Sequence, residues 1–399
     1  MPMIELPITI TVLDIVSLIV IASFLYHFLS LYEVEMFARR RLQTPTPTAY
    51  RPPVTLLKPL AGWDDQVYQN VRSFCQQHYP LYQMILGTAD LDQQRVAAAR
   101  LAAAEGQAAV RWEVCHPPLA VNPKISELLH MDRLAEHEVL VLSDADIRVG
   151  PDYLARVVAP LQDPSIGLVT CLYTSRQAAT TPAAVEALMI NVDFIPSVLV
   201  ANRLFGSRFV MGATVAIRRE VLAAAGGFAA LADYLADDHQ LGVRVRQAGY
   251  QIAIADYIVE NCLPTMRLGD LFRHQVRWSR TIRVNQPAGW FFSVITHLMV
   301  CSTMWLLLTN FSPSGWHLVG LALVFRLLEG GYMNARLNGL PDYWRVAWLM
   351  PFKDAFSFLM WVLSFTDSRV HWAGRDYLVA RDGRMAALEP PGGKVAFHN

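Results

Sequence analysis

Charged side chains are scarce in this sequence, and neither sign predominates. They make up 17% of its 399 residues, below the roughly 25% usual for soluble domains, and 34 basic residues balance 34 acidic ones. A chain without a net field gathers no polyanion by long-range attraction, so nucleic acid is excluded as a partner. Cysteine is equally sparse. The five present (Cys75, Cys115, Cys171, Cys262, Cys301) include no CxxC pair, which excludes a disulfide framework and a thiolate zinc site and leaves buried thiols in a reducing compartment. Repeats and low-complexity tracts are missing as well. What abounds is apolar side chains, 53% of the chain, an excess that points to membrane segments.

The first such segment is Ile15 to Tyr32, "IVSLIVIASFLYHFLSLY", which has no Asp, Glu, Lys or Arg and is long enough to cross the hydrocarbon core. Arg39, Arg40 and Arg41 follow it, and the positive-inside bias then puts the chain beyond it in the cytoplasm. A cleaved signal peptide is the competing reading, but no basic leader precedes the run, no small-residue cleavage site follows, and Asp14 abuts it. Trp290–Leu308 and Trp316–Leu328 are the next expected spans, the second continuing to Tyr332 with Arg326 and Glu329 embedded. Their link "TNFSPSG" lacks Lys and Arg and suits the outer side. Pro351–Phe365 is interrupted by Pro351, Lys353 and Asp354, which leaves Ala355–Phe365 too short to span. A full crossing there would also export Arg369, Arg375, Arg381 and Arg384, so a re-entrant or interfacial segment is expected. The chain thus divides into an N-terminal anchor (1–41), a cytoplasmic domain (42–287) with an interfacial helix at 268–284, C-terminal membrane segments (288–366) and a cytoplasmic tail (367–399). This is the layout of a multi-pass protein of the cell inner membrane.

Between the spans, "VTLLKPL", "YQMILGTAD", "VLVLSDAD", "IGLVTCLY" and "FVMGATVAIRR" read as buried strands, and Asp92–Glu105 and Val221–Ala225 as helices. Strands alternating with helices imply an α/β fold with a mostly parallel sheet, which binds ligands at the carboxyl ends of its strands. Asp144 and Asp146 close the run "EVLVLS". Alternation along an extended chain sends both side chains one way, and paired carboxylates suit a hard divalent cation that keeps its waters and a substrate phosphate. A DxD triplet also arises by chance about once or twice in such a length, so a solvated loop is the competing view.

Four further stretches accompany the triplet. "GTAD" carries Asp90, with Asp92 nearby; "NPKISEL" carries Asn122 and Lys124; "LADYLADDHQLG" carries Asp237 and Asp238; "HQVRW" places Arg277 and Trp278 before a span. In this order, and with "LLKPL.G.D", "SDADIRV", "AAGGF" and "W.GR..Y" (Trp372, Arg375, Tyr377), the chain resembles the ceramide glucosyltransferase-like family of membrane glycosyltransferases from about residue 52 to 380. The resemblance implies a GT-A fold, a Rossmann-like mixed sheet of the nucleotide-diphospho-sugar transferase kind, flanked by N- and C-terminal transmembrane helices. "LADYLADDHQLG" and "RWSRTIRV" look most like the bacterial hopanoid-associated branch, whose members are thought to transfer N-acetylglucosamine to bacteriohopanetetrol. Ceramide glucosylation is the activity of the better-known relatives. One position departs from the family's (Q/R)xxRW pattern: His274 stands where Gln or Arg is usual.

By resemblance the donor is a UDP-sugar, the acceptor a lipid hydroxyl (hopanoid or ceramide), and the reaction inverts the anomeric carbon. Such a reaction needs a base on one side and charge neutralisation on the other. Asp238 is the expected base and Asp237 its partner, tuning it by like charge, against a plain acidic helix start. Asp144 and Asp146 would hold Mg²⁺ or Mn²⁺ as a Lewis acid on the leaving group. Asp90 would contact uracil or ribose, with Asp92 taking its place if the register slips by two. Lys124, read as sitting in a loop held by Pro123, and His274 would meet phosphate. Arg273, Arg277 and Arg280 recur at helical spacing and suit anionic headgroups; Arg277 would also pair with the departing UDP and Trp278 line the acceptor site. Gly212 would admit the sugar close to the backbone or merely pack. A processive polysaccharide synthase and a non-catalytic UDP-sugar-binding membrane scaffold are the alternatives.

Overall fold

The computed structural model describes residues 11–47, 49–60, 66–89, 93–106, 108–372 and 374–388. Eight strands form its main sheet: β1 (Val54–Pro59), β2 (Tyr82–Thr88), β3 (Ala109–Val114), β4 (Val139–Ser143), β5 (Ile147–Arg148), β6 (Ile166–Thr174), β7 (Thr214–Arg218) and β8 (Gln251–Asn261). Their spatial order is β3-β2-β1-β4-β7-β6-β8-β5. One half, β3-β2-β1-β4, is parallel throughout. The other is mixed, because β7 runs antiparallel to both β4 and β6, and β5 runs antiparallel to β8. The expected mostly parallel sheet is therefore a mixed one, as the GT-A fold requires.

Period-two alternation sends the residues of each central strand to two separate cores. Leu56, Met84 and Val141 face one core with the helices Val67–Cys75 and Tyr153–Val158; Leu57, Ile85 and Leu142 face the other with Pro123–Met131, Arg219–Ala224 and Asp237–Gln247. The strand expected over "FVMGATVAIRR" starts late, at Thr214. The N–H of Met211 goes to Thr170 Oγ1 (3.0 Å) and that of Gly212 to Asp238 Oδ2 (2.9 Å), so neither is free for a ladder.

Among the described residues four helices are long and apolar enough to cross a membrane: Val12–Gln43, Thr181–Phe205, Pro313–Leu337 and Tyr343–Ser364. The first extends well past the apolar run at both ends, opening on a capping box in which Thr11 and Asp14 bond reciprocally. Asp14, which abuts the apolar run, is thus a cap. The second had no counterpart in the sequence reading; it is mostly buried inside the molecule and carries a π-bulge at Ile190–Phe194. Trp290–Leu308, expected as one span, falls on a bent pair of helices, Pro287–Thr296 and Leu298–Leu308, meeting at 66°. His297 stands at the break with its ring against Phe358 and Trp361. The segment expected to be re-entrant, Pro351–Phe365, belongs to a helical stretch of 22 residues that starts at Tyr343.

The ions embedded in these helices find one another. Arg326 is fully buried and bonds to Asp354 (3.1 Å), Glu329 (2.6 Å) and Asp193 (2.8 Å). Lys353 joins Asp193 and Asp354, and His27 reaches Glu329 at 2.9 Å. The segment after the spans, expected as a tail, folds into a second antiparallel sheet of β9 (Arg369–Trp372), β10 (Arg375–Val379) and β11 (Met385–Ala387). Val370, Tyr377, Val379 and Met385 pack there around Leu235, so this small sheet is tied to the segment that carries Asp237 and Asp238.

Candidate active site

Asp144 follows directly on β4, but Asp144–Ala145–Asp146 is a turn and not an extended strand. Alternation is therefore not what orients its carboxylates; the turn is clamped from outside. Lys58, a fully buried lysine on β1, donates to the carbonyls of Asp144 (2.6 Å) and Ile147 (3.3 Å), with its ammonium 4.1 Å from the Phe74 ring centre. Asn70 Nδ2 donates to the carbonyl of Ala145 (3.3 Å), and the N–H of Cys262 to that of Asp146 (2.8 Å). Sequence reasoning missed Lys58 and Asn70 as supports. A lysine inside an otherwise apolar strand was the available signal, since lysine is almost never fully buried unless paired.

Lys124 lies in the first turn of a helix, Pro123–Met131, and not in a loop as expected. Asn122 caps that helix by accepting from the Ile125 N–H (3.1 Å), and proline takes the first position, where no N–H is needed. The motif "NPK" is thus a helix start that aims lysine at the sheet edge. Its Nζ lies 2.6 Å from Asp144 Oδ1 and 3.6 Å from Asp237 Oδ2. Burial would lower the pKa of this ammonium, but Asp144 and Asp237 outweigh that and raise it.

Asp237 and Asp238 open the helix Asp237–Gln247, so the acidic helix start and the site are one and the same feature. Asp237 Oδ1 accepts from Asn122 Nδ2 at 3.3 Å. Asp238 is held at both oxygens, Oδ2 by the N–H of Gly212 (2.9 Å) and Oδ1 by the N–H of His239 (2.7 Å). Its pKa is pushed up to about 6, chiefly by burial and then by the charge of Asp237. Gly212 keeps the middle of the site open. A methyl group there would sit 3.2 Å from Lys124 Nζ, 3.3 Å from Asp238 Oδ2 and 3.5 Å from Asp144 Oδ2.

The expected amphipathic helix is Leu268–Asn285. Burial lowers the pKa of Arg277 to about 10, against the pull of Glu186, Asp144 and Asp238. Its guanidinium lies 5.9 Å from the Trp372 ring centre, a contact supplied by the small sheet. Arg273 turns to Asp270 (2.5 Å) and Arg280 to the carbonyl of Arg369, so of the three only Arg277 faces the carboxylates. Trp278 packs between His274, Phe194 and Tyr173, with ring centres at 4.8, 6.0 and 6.4 Å. His274 Nδ1 lies 2.6 Å from Oε1 of Glu186, whose side chain is fully buried. That partner was not foreseen, and it makes the histidine's neighbour a carboxylate. Tyr173 joins the cluster: its hydroxyl is pushed far above its ordinary value by burial, then by Asp238, Asp146, Glu186 and Asp144.

The structure thus brings together Lys124, Asp144, Asp146, Asp237, Asp238 and Arg277, six groups from four separate segments. Asp90 and Asp92 lie outside the described residues. Among the described residues no three acidic or imidazole groups form a closed metal cage. One or two carboxylates completed by water and substrate phosphate is, however, the ordinary Mg²⁺ arrangement, and the Asp144–Asp146 turn fits it.

Residues 15–385 match glycosyl transferase family 21. The chain belongs to that family. Ceramide glucosyltransferase 1 of Caenorhabditis elegans is 22% identical over 385 residues, covering 93% of this chain and 79% of that protein. Ceramide glucosyltransferase 3 of the same organism is 22% identical over 402 residues, covering 94% and 83%. Among solved structures, the mannosyltransferase PcManGT from Pyrobaculum calidifontis, in complex with GDP-Man and Mn²⁺, superposes with a TM-score of 0.51 at 18% identity, covering 88% of this chain and 99% of that one. The fold is GT-A, and this family 21 member is a glycosyltransferase that uses a nucleotide sugar.

Proposed function

We propose that this glycosyltransferase moves the sugar of a UDP-sugar, with inversion, onto the hydroxyl of a membrane lipid, working from the cytoplasmic face of the inner membrane. The observation that carries this reading is Asp238, a buried carboxylate with a raised pKa, fixed by two backbone N–H groups beside Lys124 and Asp144. Fixed orientation and a pKa near the working pH are what a general base needs. The acceptor oxygen attacks the anomeric carbon, its proton passes to Asp238, and the bond from that carbon to the diphosphate oxygen breaks. Asp237 keeps Asp238 basic. Lys124 and Arg277 face the diphosphate as charge builds on it, and Asp90 or Asp92 meets the uridine. Asp144 and Asp146 would hold Mg²⁺ or Mn²⁺, which supplies Lewis-acid neutralisation of the leaving group. Trp278, with the exposed Leu268 and Phe272 of the same helix, offers the apolar approach an acceptor lipid requires. His274, turned to Glu186, orients this helix.

Two acceptors stay in play, each with its own support. The ceramide glucosyltransferase relatives favour glucose onto ceramide; the stretches "LADYLADDHQLG" and "RWSRTIRV" favour N-acetylglucosamine onto bacteriohopanetetrol. Purified enzyme given UDP-glucose or UDP-N-acetylglucosamine, each with ceramide or the hopanoid, separates them by which pair turns over. Asp238→Asn in the same assay lowers turnover by about 10²- to 10⁴-fold while UDP binding persists. Loss of both, or of neither, defeats the base assignment.

A further inference from the structure

Away from this site lies a cavity of about 310 Å³ lined by Arg41, Arg148, Arg176, Tyr257, Glu260 and Asn338. Arg41 is on the last turn of the helix Val12–Gln43, and Asn338 caps the helix Pro313–Leu337. The cavity therefore sits where two helices capable of crossing a membrane end against the edge of the catalytic sheet, where headgroups would lie once those helices cross a bilayer. Three arginines face it and one carboxylate does. Arg148 is fixed by Asn70 Oδ1 (3.2 Å) and Gln66 Oε1 (2.8 Å). Arg41 and Arg176 make no hydrogen bond or ion pair among the described residues. Arg156 and Arg336 also stand close enough to Arg41 to repel it. Three guanidinium groups gathered around a void with a single carboxylate, Glu260, are arranged for an oxyanion, and arginine's planar fork matches phosphate bidentately.

We propose that this cavity binds a phosphate group, held by Arg41 and Arg176 against the fixed Arg148, and that its source is the headgroup of an anionic phospholipid. Position favours the lipid over free phosphate, because basic pockets beside the ends of membrane helices on the cytoplasmic side hold such headgroups. Neither Arg41 nor Arg176 belongs to the catalytic cluster, and the bound lipid would seat the catalytic domain on the bilayer. The inference requires that the two helices cross a membrane; retention of the chain in bilayers through an alkaline carbonate wash tests that separately.

The experiment uses the full chain in detergent, with native mass spectrometry counting retained dioleoylphosphatidylglycerol against dioleoylphosphatidylcholine. The wild type retains the anionic lipid selectively. Arg41→Gln with Arg176→Gln retains it about thirtyfold less tightly, from about 1 kcal/mol per arginine, and melts as the wild type does in phosphatidylcholine. Arg246→Gln with Arg345→Gln, which neutralises exposed arginines elsewhere, leaves retention unchanged. Should the double variant fail to fold, the exposed Arg176→Gln alone lowers retention about fivefold. A rise in melting temperature with millimolar inorganic phosphate alone, lost in the variant, assigns the same site to the free anion. Equal lipid retention by the wild type and either cavity variant, or no preference for phosphatidylglycerol, overturns the proposal.

Discussion

Gly212→Ala adds one methyl group at the point where the site's charges meet. The backbone there is in a conformation any residue adopts, so the substitution strains nothing locally. The new carbon would stand 3.2 Å from Lys124 Nζ, 3.3 Å from Asp238 Oδ2 and 3.5 Å from Asp144 Oδ2, inside or at the edge of the 3.5–4.0 Å where such contacts are favourable. Each neighbour is the end of a side chain and not backbone, so a shift of a few tenths of an ångström makes room, at the expense of the bonds that hold Asp238. Stability therefore changes little, because loss of unfolded-state entropy contributes about 0.4–1 kcal/mol in favour of alanine and offsets the crowding. Catalysis is less forgiving: a misplacement of about 1 Å costs about 10²-fold, so a fraction of that, together with the space lost to substrate, lowers kcat by about 10- to 10²-fold. The assay pairs turnover with a thermal melt, and Gly320→Ala, whose methyl meets nothing within 4 Å, is the control. If Gly212→Ala keeps wild-type turnover, the reacting groups do not converge on this point and the site assignment fails. If it melts many degrees lower instead, Gly212 is a packing glycine.

Three other perturbations probe different parts of the same arrangement. Lys58→Met keeps the side chain's bulk but orphans the carbonyl of Ile147 and leaves that of Asp144 with only the Ile147 N–H (3.3 Å); at about 1–3 kcal/mol for an unsatisfied group, a melt should show a loss of that order, with metal-dependent UDP affinity falling alongside, and an unshifted melt would refute the clamp. Asp238 is raised to about 6 because burial penalises its charged form, so the base is lost as pH falls through that value, and kcat/KM should drop about tenfold per unit below it; a profile flat from pH 7 to 5 contradicts the assignment. His274→Arg keeps a nitrogen donor beside Glu186 and should keep most activity, whereas His274→Leu leaves a fully buried carboxyl group without its neighbour and costs about 1–3 kcal/mol, read by the same melt. Equal stability of the two variants would show that Glu186 does not need residue 274.

How much of this was legible beforehand depended on burial. Strands flanked on both faces, such as β1 and β2, announce themselves as largely apolar runs with few polar interruptions, because every residue in them is buried. β3 was missed: as the sheet's outer strand it alternates exposed and half-buried positions, and "AVRWEV" carries no such run. The strands of the small C-terminal sheet are three to five residues long, too short for any period to emerge, so that region passed for a tail. Charged members of the site were readable because strand ends and helix starts have sequence signatures. Lys58, Asn70 and Glu186 were not, since what makes them matter is a partner at least 70 residues away, and no local pattern encodes distant contacts. The turn at Asp144–Asp146 shows the converse. The reading put both carboxylates at the site on the grounds of strand alternation, yet their placement comes from Lys58 and Asn70.

One helix joins the site to the membrane segments, and its composition explains why it escaped notice. Thr181–Phe205 is apolar enough to span a bilayer but is used as an internal strut. Near its start Glu186 faces His274 on the helix that carries Arg277. Further along, in the π-bulge, Asp193 bonds to Arg326 and Lys353 of two separate helices apolar enough to span a bilayer, and Asn191 reaches Asn334 at 3.1 Å. A purely apolar contact between strut and bundle would tolerate sliding, since dispersion and burial are nearly indifferent to small shifts. Charges with two or three partners each are not indifferent, because any shift leaves a buried ion unpaired at a cost of several kcal/mol. The cluster around Arg326 is accordingly better understood as setting register than as adding stability. It fixes where the strut lies, the strut fixes His274, and the helix carrying His274 presents Arg277 to Asp144 and Asp238 at a constant position.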